Sequence, residues 1–152
     1  FPGAHLHAAV VSGLSPAFDP VVVEAEITLP PFHATAAGFD LPTGGGVWRL
    51  VQRHAKAARR LTPMQIDFNH TERLRVEIAL PPGARPELPE RVELRSAFGA
   101  ARVAATLEGG ALVTEAELVI ERPQIAPVEY ADFRGWLAKA DAALGRPLQV
   151  RK

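Results

Sequence analysis

The sequence predicts a mainly β protein: an antiparallel β-sandwich, immunoglobulin-like or similar, of about seven or eight strands with a C-terminal helix and a second, short helix. Three observations predict this class. Short runs alternate apolar and polar residues, 14 prolines and 12 glycines are spread between those runs as stops, and one segment near the C-terminus has helical spacing. Because 152 residues suit one domain, we expect a single sandwich over residues 1–152, with 1–18 a linker or an edge segment.

Three runs show the period of two that is typical of a half-buried β-strand. The clearest is Leu74–Leu80, in which the even-numbered residues are apolar while Arg75 and Glu77 take the opposite side. Val21–Leu29 and Arg91–Ser96 follow the same pattern. We therefore expect each run to bury one face against a second layer of the sandwich.

A tight hairpin is predicted at Gly109-Gly110, because two consecutive glycines supply the positive φ angles that a two-residue turn needs. Such a turn fixes the register of the strands on either side. In this register Glu108 faces Ala111 and Leu107 faces Leu112, and further along the strands Ala105 meets Thr114 and Val103 meets Ala116 on the apolar face. The same register places Arg102 opposite Glu117 on the other face, which is a favourable cross-strand charge pair.

Two segments have helical spacing. The first begins at Val47 and ends before Pro63, and the second begins near Tyr130 and ends at Gly145. The apolar positions of the first are Val47, Leu50, Val51, His54, Ala58 and Leu61. Those of the second are Tyr130, Phe133, Trp136, Leu137, Ala140 and Leu144. Pro147 follows Gly145 in the order expected after a helix, and Leu148–Val150 is predicted as a last edge strand.

Composition excludes several classes of function. Lys plus Arg and Asp plus Glu are both 17, so the formal charge is zero, which argues against a nucleic-acid binder. Cysteine is absent, which excludes a disulfide, a thiolate metal site and a thiol nucleophile. No run approaches the roughly 18 apolar residues that a membrane span requires, so we expect no membrane insertion. Since the chain begins at Phe1, we expect it to be a processed product or part of a longer protein.

An ordered series of proline, glycine and apolar motifs in the second half resembles a known protein family. The motifs are Arg60-Leu61-Thr62-Pro63, Leu80-Pro81-Pro82-Gly83, Leu88-Pro89, Ser96-Ala97-Phe98-Gly99, the Gly109-Gly110 turn, and Ile125-Ala126-Pro127 followed by Tyr130 and Phe133. Together they look like the C-terminal β-domain of bacterial transglutaminase-like proteins. In that family a β-rich module of unknown function and a transglutaminase core precede this domain. The resemblance covers about residues 15–152.

The resemblance implies a non-catalytic accessory domain that packs against the core or presents partners to it. The chemistry of such cores resembles that of papain, with a Cys nucleophile, a His base and an orienting Asp. Since this chain has no Cys, no catalytic residue carries over to it. The implied partners are neighbouring domains of the same chain or another protein, without a cofactor. A periplasmic or extracellular location is favoured, since such proteins are often exported.

The candidate binding surface is a basic stripe on the first helical segment. It comprises Arg49, Arg53, Lys56, Arg59 and Arg60, with Trp48 at its start. Such a stripe could contact phosphate, an acidic sugar or a neighbouring domain, although a solvated helix face is the more frequent explanation. An aromatic sugar platform built from Trp48, Tyr130, Phe133 and Trp136 is an alternative. Of these, Trp48 alone is expected to be exposed, because the others lie on the apolar stripe of the second helix.

Two polar clusters are weaker candidates. His5 and His7 lie on one side of a predicted strand at a spacing that can hold zinc or copper, but two ligands do not make a site. The segment Asp67–Thr71 is the densest polar cluster and reads most simply as a turn. Two other functions therefore remain open: a free-standing carbohydrate- or peptide-binding sandwich, and a metal-assisted hydrolase that would need His5, His7, His70 and Asp67 to converge.

Overall fold

The computed structural model describes residues 5–12, 22–28, 38–42, 48–66, 70–80 and 82–151. The chain divides into two compact units, residues 1–35 and 36–152. The expectation of one sandwich domain over residues 1–152 stays a prediction, and each unit is described by itself.

The first unit is an antiparallel pair of strands, β1 (His5–Ser12) and β2 (Val22–Thr28). The strand expected over Val21–Leu29 is thereby confirmed as β2. The register between the two strands shifts between Leu6 and Ala8, which marks a bulge in β1. The side chains of β1 are exposed, and this strand lies in the segment that was expected to be a linker or an edge.

The second unit contains the remaining elements. They are β3 (Gly38–Pro42), α1 (Leu50–His54), β4 (Met64–Gln65), β5 (His70–Ala79), β6 (Arg85–Pro86), β7 (Val92–Ser96), β8 (Gly99–Glu108), β9 (Ala111–Ile120), β10 (Gln124–Ile125), α2 (Tyr130–Leu144) and β11 (Pro147–Arg151). Their sheets have the orders β5-β9-β8-β7, β3-β11-β6 and β10-β4, and all pairings are antiparallel. The predicted class, mainly β with antiparallel sheets and two helices, is confirmed. The strands outnumber the seven or eight expected because β4, β6 and β10 are too short to leave an alternating pattern.

The hairpin is formed in the predicted register. Val103 pairs with Ala116, Ala105 with Thr114, Leu107 with Leu112 and Glu108 with Ala111. Gly109 and Gly110 have φ angles of 57° and 87°. The turn therefore uses the positive φ angles for which the two glycines were expected. Arg102 lies opposite Glu117 and forms an ion pair with it.

The core lies on one face of the four-stranded sheet. Helix α2 packs over one end of that face, where it buries all six residues of its predicted apolar stripe against Ala101, Val103, Ala116 and Leu118. At the other end Leu148 and Val150 of β11 pack on Leu112. The three-stranded sheet and α2 therefore form the second layer of a sandwich-like arrangement.

Two element predictions are corrected. The helix expected between Val47 and Pro63 covers Leu50–His54 alone, and Leu61, expected on its apolar stripe, is 85% exposed. Ala55 leaves the helical region with φ −139°, and the Tyr130 hydroxyl donates a 2.8 Å hydrogen bond to the Ala57 carbonyl, which holds the following segment in an irregular path. Strand β11 is not an edge, because it lies between β3 and β6.

Candidate functional site

The predicted basic stripe lines an open groove beside α1. All five of its residues, Arg49, Arg53, Lys56, Arg59 and Arg60, are exposed. The last four surround a depression of about 680 Å³ that also contacts Leu61 and Tyr130, and we call this depression the cationic groove. Because α1 is short, most of these cations sit on the irregular segment after it rather than on a helix face.

Helix α1 is positioned by a carboxylate from the other helix. Both oxygens of Asp141 in α2 accept hydrogen bonds from the first backbone amides of α1, that of Leu50 at 2.7 Å and that of Val51 at 3.0 Å. This side chain does the work of a helix N-cap from a distant part of the chain. The residue before the helix, Arg49, adopts a left-handed backbone conformation with φ 46° between buried Trp48 and Leu50. The groove is therefore anchored to α2.

We predict that Asp141→Ala lowers the free energy of unfolding by about 1–2 kcal/mol, because two amides of α1 lose their acceptor. Chemical denaturation with tryptophan fluorescence measures this, since Trp48 and Trp136 both lie in the core. The control is Asp132→Ala, an exposed acidic residue in the first turn of the same helix, which caps no other element and should cost less than about 1 kcal/mol. Equal losses in the two variants would contradict the capping role.

A second, smaller cleft adjoins the groove and shares Arg53, His54 and Arg60 with it. It has a volume of about 350 Å³, and its other walls are Met64, Gln65, Ile66 and His70. The rings of His54 and His70 lie 5.2 Å apart. His70 shares the inward face of β5 with Leu74, which is why it points toward α1 and not to solvent.

Glu72 neutralises part of this cleft. Its carboxylate accepts a 3.0 Å hydrogen bond from Arg53 and lies 3.3 Å from Nε2 of His70. Arg53 is therefore already paired, even though its side chain is exposed. The prediction from the sequence placed His54 on an apolar stripe and did not anticipate its contact with His70, because the two residues meet only through the packing of α1 against β5.

Burial lowers the pKa of His54 below its ordinary value, and the nearby His70 and Arg53 lower it further. The folded protein thus favours the neutral imidazole. The physical reason is that a half-buried imidazole loses hydration when it is protonated, and the charge it gains is repelled by the nearby guanidinium.

We predict that the folded state loses stability as the pH falls below about 6.5, the ordinary pKa of histidine. The unfolded chain takes up the His54 proton there, whereas the folded chain resists it to lower pH, so this contribution is complete above that pH. Thermal unfolding at a series of pH values down to about pH 5.5 measures it, above the range in which carboxylates titrate. The variant His54→Leu should show a shallower fall, and an unchanged fall would contradict this origin.

The remaining cations of the groove differ from the charged residues on the outward face of the four-stranded sheet. The outward face of the four-stranded sheet is a ladder of ion pairs, in which Glu117 contacts both Arg73 and Arg102, and Arg75 contacts Glu115 at 2.8 Å. Its charges largely cancel. By contrast, within the described residues no carboxylate lies at ion-pair distance from Lys56, Arg59 or Arg60.

The expected exposure of Trp48 is wrong. Its side chain is 5% exposed and packs in the main core, because the chain turns inward just before α1. Tyr130, Phe133 and Trp136 are also buried, as predicted from the helix stripe. None of the four aromatic residues considered for a sugar platform is therefore available at the surface.

The histidine pair on β1 has the predicted geometry, with the rings of His5 and His7 stacked and their centroids 6.0 Å apart. Across the described residues, no group of three or more His, Cys, Asp and Glu is placed to hold a metal ion. Asp67, which the metal-assisted hydrolase would require, lies outside the described residues, as does the rest of the 67–69 segment. In the same described part, no helix is long and apolar enough to cross a bilayer.

The architecture defines a mainly β module in which a sheet is backed by one long helix, with a cationic groove at one end. The family of a domain of unknown function with a solved structure, DUF3858, matches residues 48–150. That match covers well over half of the chain, and the chain therefore belongs to the DUF3858 family. The matched range includes the groove, the four-stranded sheet and α2.

A solved structure has the same fold. It is the crystal structure of a "putative protease" from Parabacteroides distasonis, which is 14% identical and gives a TM-score of 0.64. The similarity covers 78% of this chain and 24% of that chain, so this chain spans about a quarter of the other protein's length. At this identity the likeness shows a shared fold alone. No curated protein matches the chain.

Proposed function

We propose that this chain is a non-catalytic accessory domain of a longer, transglutaminase-like protein, in which it packs against a neighbouring domain or presents partners to it. The observation that carries the proposal is the shared fold with a much longer protein, of which the matching part is only 24%. A domain that recurs as a minor part of a larger chain is expected to contribute an interface.

The charge distribution supports an interface at the groove and not on the outward sheet face. Ion pairs within a sheet face satisfy one another, so little is gained when a partner covers them. Lys56, Arg59 and Arg60 keep their charges available, and Leu61 adds an exposed apolar side chain next to them. A small apolar contact within a charged rim is typical of a domain interface.

The reading frame upstream of Phe1 tests the proposal first. We expect it to encode a domain that contains a Cys, a His and an Asp in the arrangement of a transglutaminase. The isolated chain of 152 residues should release no product above a protein-free blank in transamidation and peptide-hydrolysis assays. Turnover by the purified chain that survives repeated chromatography would refute a non-catalytic role, and an upstream region without those residues would refute the transglutaminase context.

The alternative function is that of a free-standing β-sandwich that binds a ligand from outside its own chain. The structure favours a peptide over a sugar as that ligand. The groove is open and charged, as a peptide-binding surface can be, whereas the aromatic residues that would stack on a sugar ring are buried. A binding partner encoded in a different gene, with no neighbouring domain in this one, would favour this alternative.

A further inference from the structure

We propose that the cationic groove binds an acidic segment of polypeptide, with its glutamate or aspartate side chains paired to Lys56, Arg59 and Arg60. This inference rests on the proposed accessory function, since it names the chemistry of the surface that the groove recognises. No part of it requires the groove to carry out a reaction.

The first argument is the supply of unpaired charge. Arg53 is committed to Glu72 at 3.0 Å, so it adds little to the attraction of an incoming anion. Lys56, Arg59 and Arg60 have no such partner among the described residues. Three cations within five positions of the chain repel one another, and a partner that carries several carboxylates relieves this repulsion.

The second argument is the shape of the surface. The groove and the smaller histidine-lined cleft share Arg53, His54 and Arg60, so they lie next to each other. Lys56, Arg59 and Arg60 line the same open depression, so a segment with several carboxylates can pair with more than one of them at once. Leu61 at the rim, with Met64 and Ile66 in the cleft, offers apolar contact for the methylene groups of a glutamate side chain.

The third argument separates a polypeptide from a nucleic acid. Single strands are held by base stacking on exposed aromatic rings as well as by cations. The aromatic ring that lines the groove, that of Tyr130, is 2% exposed, and its hydroxyl is used in the bond to Ala57. The protein also has no net positive charge to attract a polyanion from a distance. Carboxylates on a flexible segment need neither of these features.

Fluorescence anisotropy of the 152-residue chain with a labelled oligo-glutamate peptide tests this inference. We expect saturable binding that weakens steeply as the salt concentration rises. A triple variant with Lys56, Arg59 and Arg60 changed to Ala should bind about tenfold more weakly, because three exposed ion pairs are lost. The control is a triple variant with Arg85, Arg134 and Arg146 changed to Ala, three exposed arginines outside the groove, which removes the same number of positive charges.

Three results would overturn the inference: no binding at low salt, an equal loss in the two triple variants, or tighter binding of a single-stranded oligonucleotide or of anionic vesicles than of the peptide. Circular dichroism of both variants establishes that they are folded before they are compared. If the upstream domain binds the groove variant as well as the wild-type chain, the accessory function stands and the groove is not its interface. If the peptide binds through the groove but the upstream domain does not bind at all, the groove stands and the accessory function falls.

Discussion

Replacement of Phe133 by alanine should lower the free energy of unfolding by about 3–5 kcal/mol, the typical cost of removing a buried aromatic ring. Phe133 is fully buried where α2 meets the sheet. Its ring contacts Phe98 edge-on, with centroids 5.3 Å apart, and Trp136 at 6.0 Å. Because Phe98 follows β7 and Trp136 is on α2, the cavity would loosen the contact between the two layers.

Urea denaturation followed by circular dichroism measures the effect of Phe133→Ala. The matched control is Leu61→Ala, a large apolar residue that is 85% exposed and should change stability by less than about 0.5 kcal/mol. A loss below about 1 kcal/mol for Phe133→Ala would show that this ring is not part of a packed core.

Gly99→Ala should lower the free energy of unfolding at least as much as Phe133→Ala does, because it disturbs the backbone pairing of β8 and β9. Gly99 begins β8 with φ 148°, and a Cβ placed there would lie 1.9 Å from the carbonyl oxygen of Val119 in β9. No side-chain rotation relieves a clash with backbone, so β8 and β9 must separate or bend at this end. We expect a loss of more than about 3 kcal/mol, or a chain that fails to fold.

Gly135→Ala is the control for this substitution, because the same change of glycine to alanine should raise the free energy of unfolding there. Gly135 lies within α2, and an added Cβ meets nothing within 4 Å. Alanine there should stabilise the helix by about 0.5–1 kcal/mol. Hydrogen exchange should show faster exchange at the Gly99 end of β8 and β9 in the first variant and slower exchange along α2 in the second. Normal protection of β9 in Gly99→Ala would contradict the close approach of the two strands.

Local patterns predicted the parts of the fold that local physics determines. The register of β8 and β9 follows from a two-residue turn and was predicted pair by pair. The buried stripe of α2 was predicted in full because fifteen helical residues give the 3.6-residue period several repeats. The alternation of β5 was predicted from Leu74 onward, whereas His70 and Thr71, which were expected in a turn, are the first two residues of the strand.

Contacts between distant residues decided what the sequence left open. The N-terminus of α1 is held by Asp141, which lies 91 positions from Leu50, and no pattern near α1 reveals this acceptor. The apolar spacing continued to Leu61, but that side chain is 85% exposed, because the helix has already ended at His54. Strand β11 appeared terminal by its position in the sequence, yet it became central because β3 and β6 pair with it from either side.

The sequence predicted which cations form the candidate site, but it did not predict that one of them is paired with a carboxylate. Exposure of the basic stripe followed from its polar composition, and the structure confirms it for all five cations. The pairing of Arg53 with Glu72 was not visible, because it depends on where β5 passes α1. Trp48 was expected at the surface because it follows a glycine run, whereas its large apolar ring is more stable in the core.

The most direct test of the accessory function is calorimetric titration of the 152-residue chain with the separately produced domain that the upstream reading frame encodes. We expect a single-site complex whose affinity falls with added salt and falls further when Lys56, Arg59 and Arg60 are changed to Ala. The absence of heat and of any co-migrating complex in sedimentation, for two proteins shown to be folded, would contradict the central claim that this domain exists to bind its neighbour.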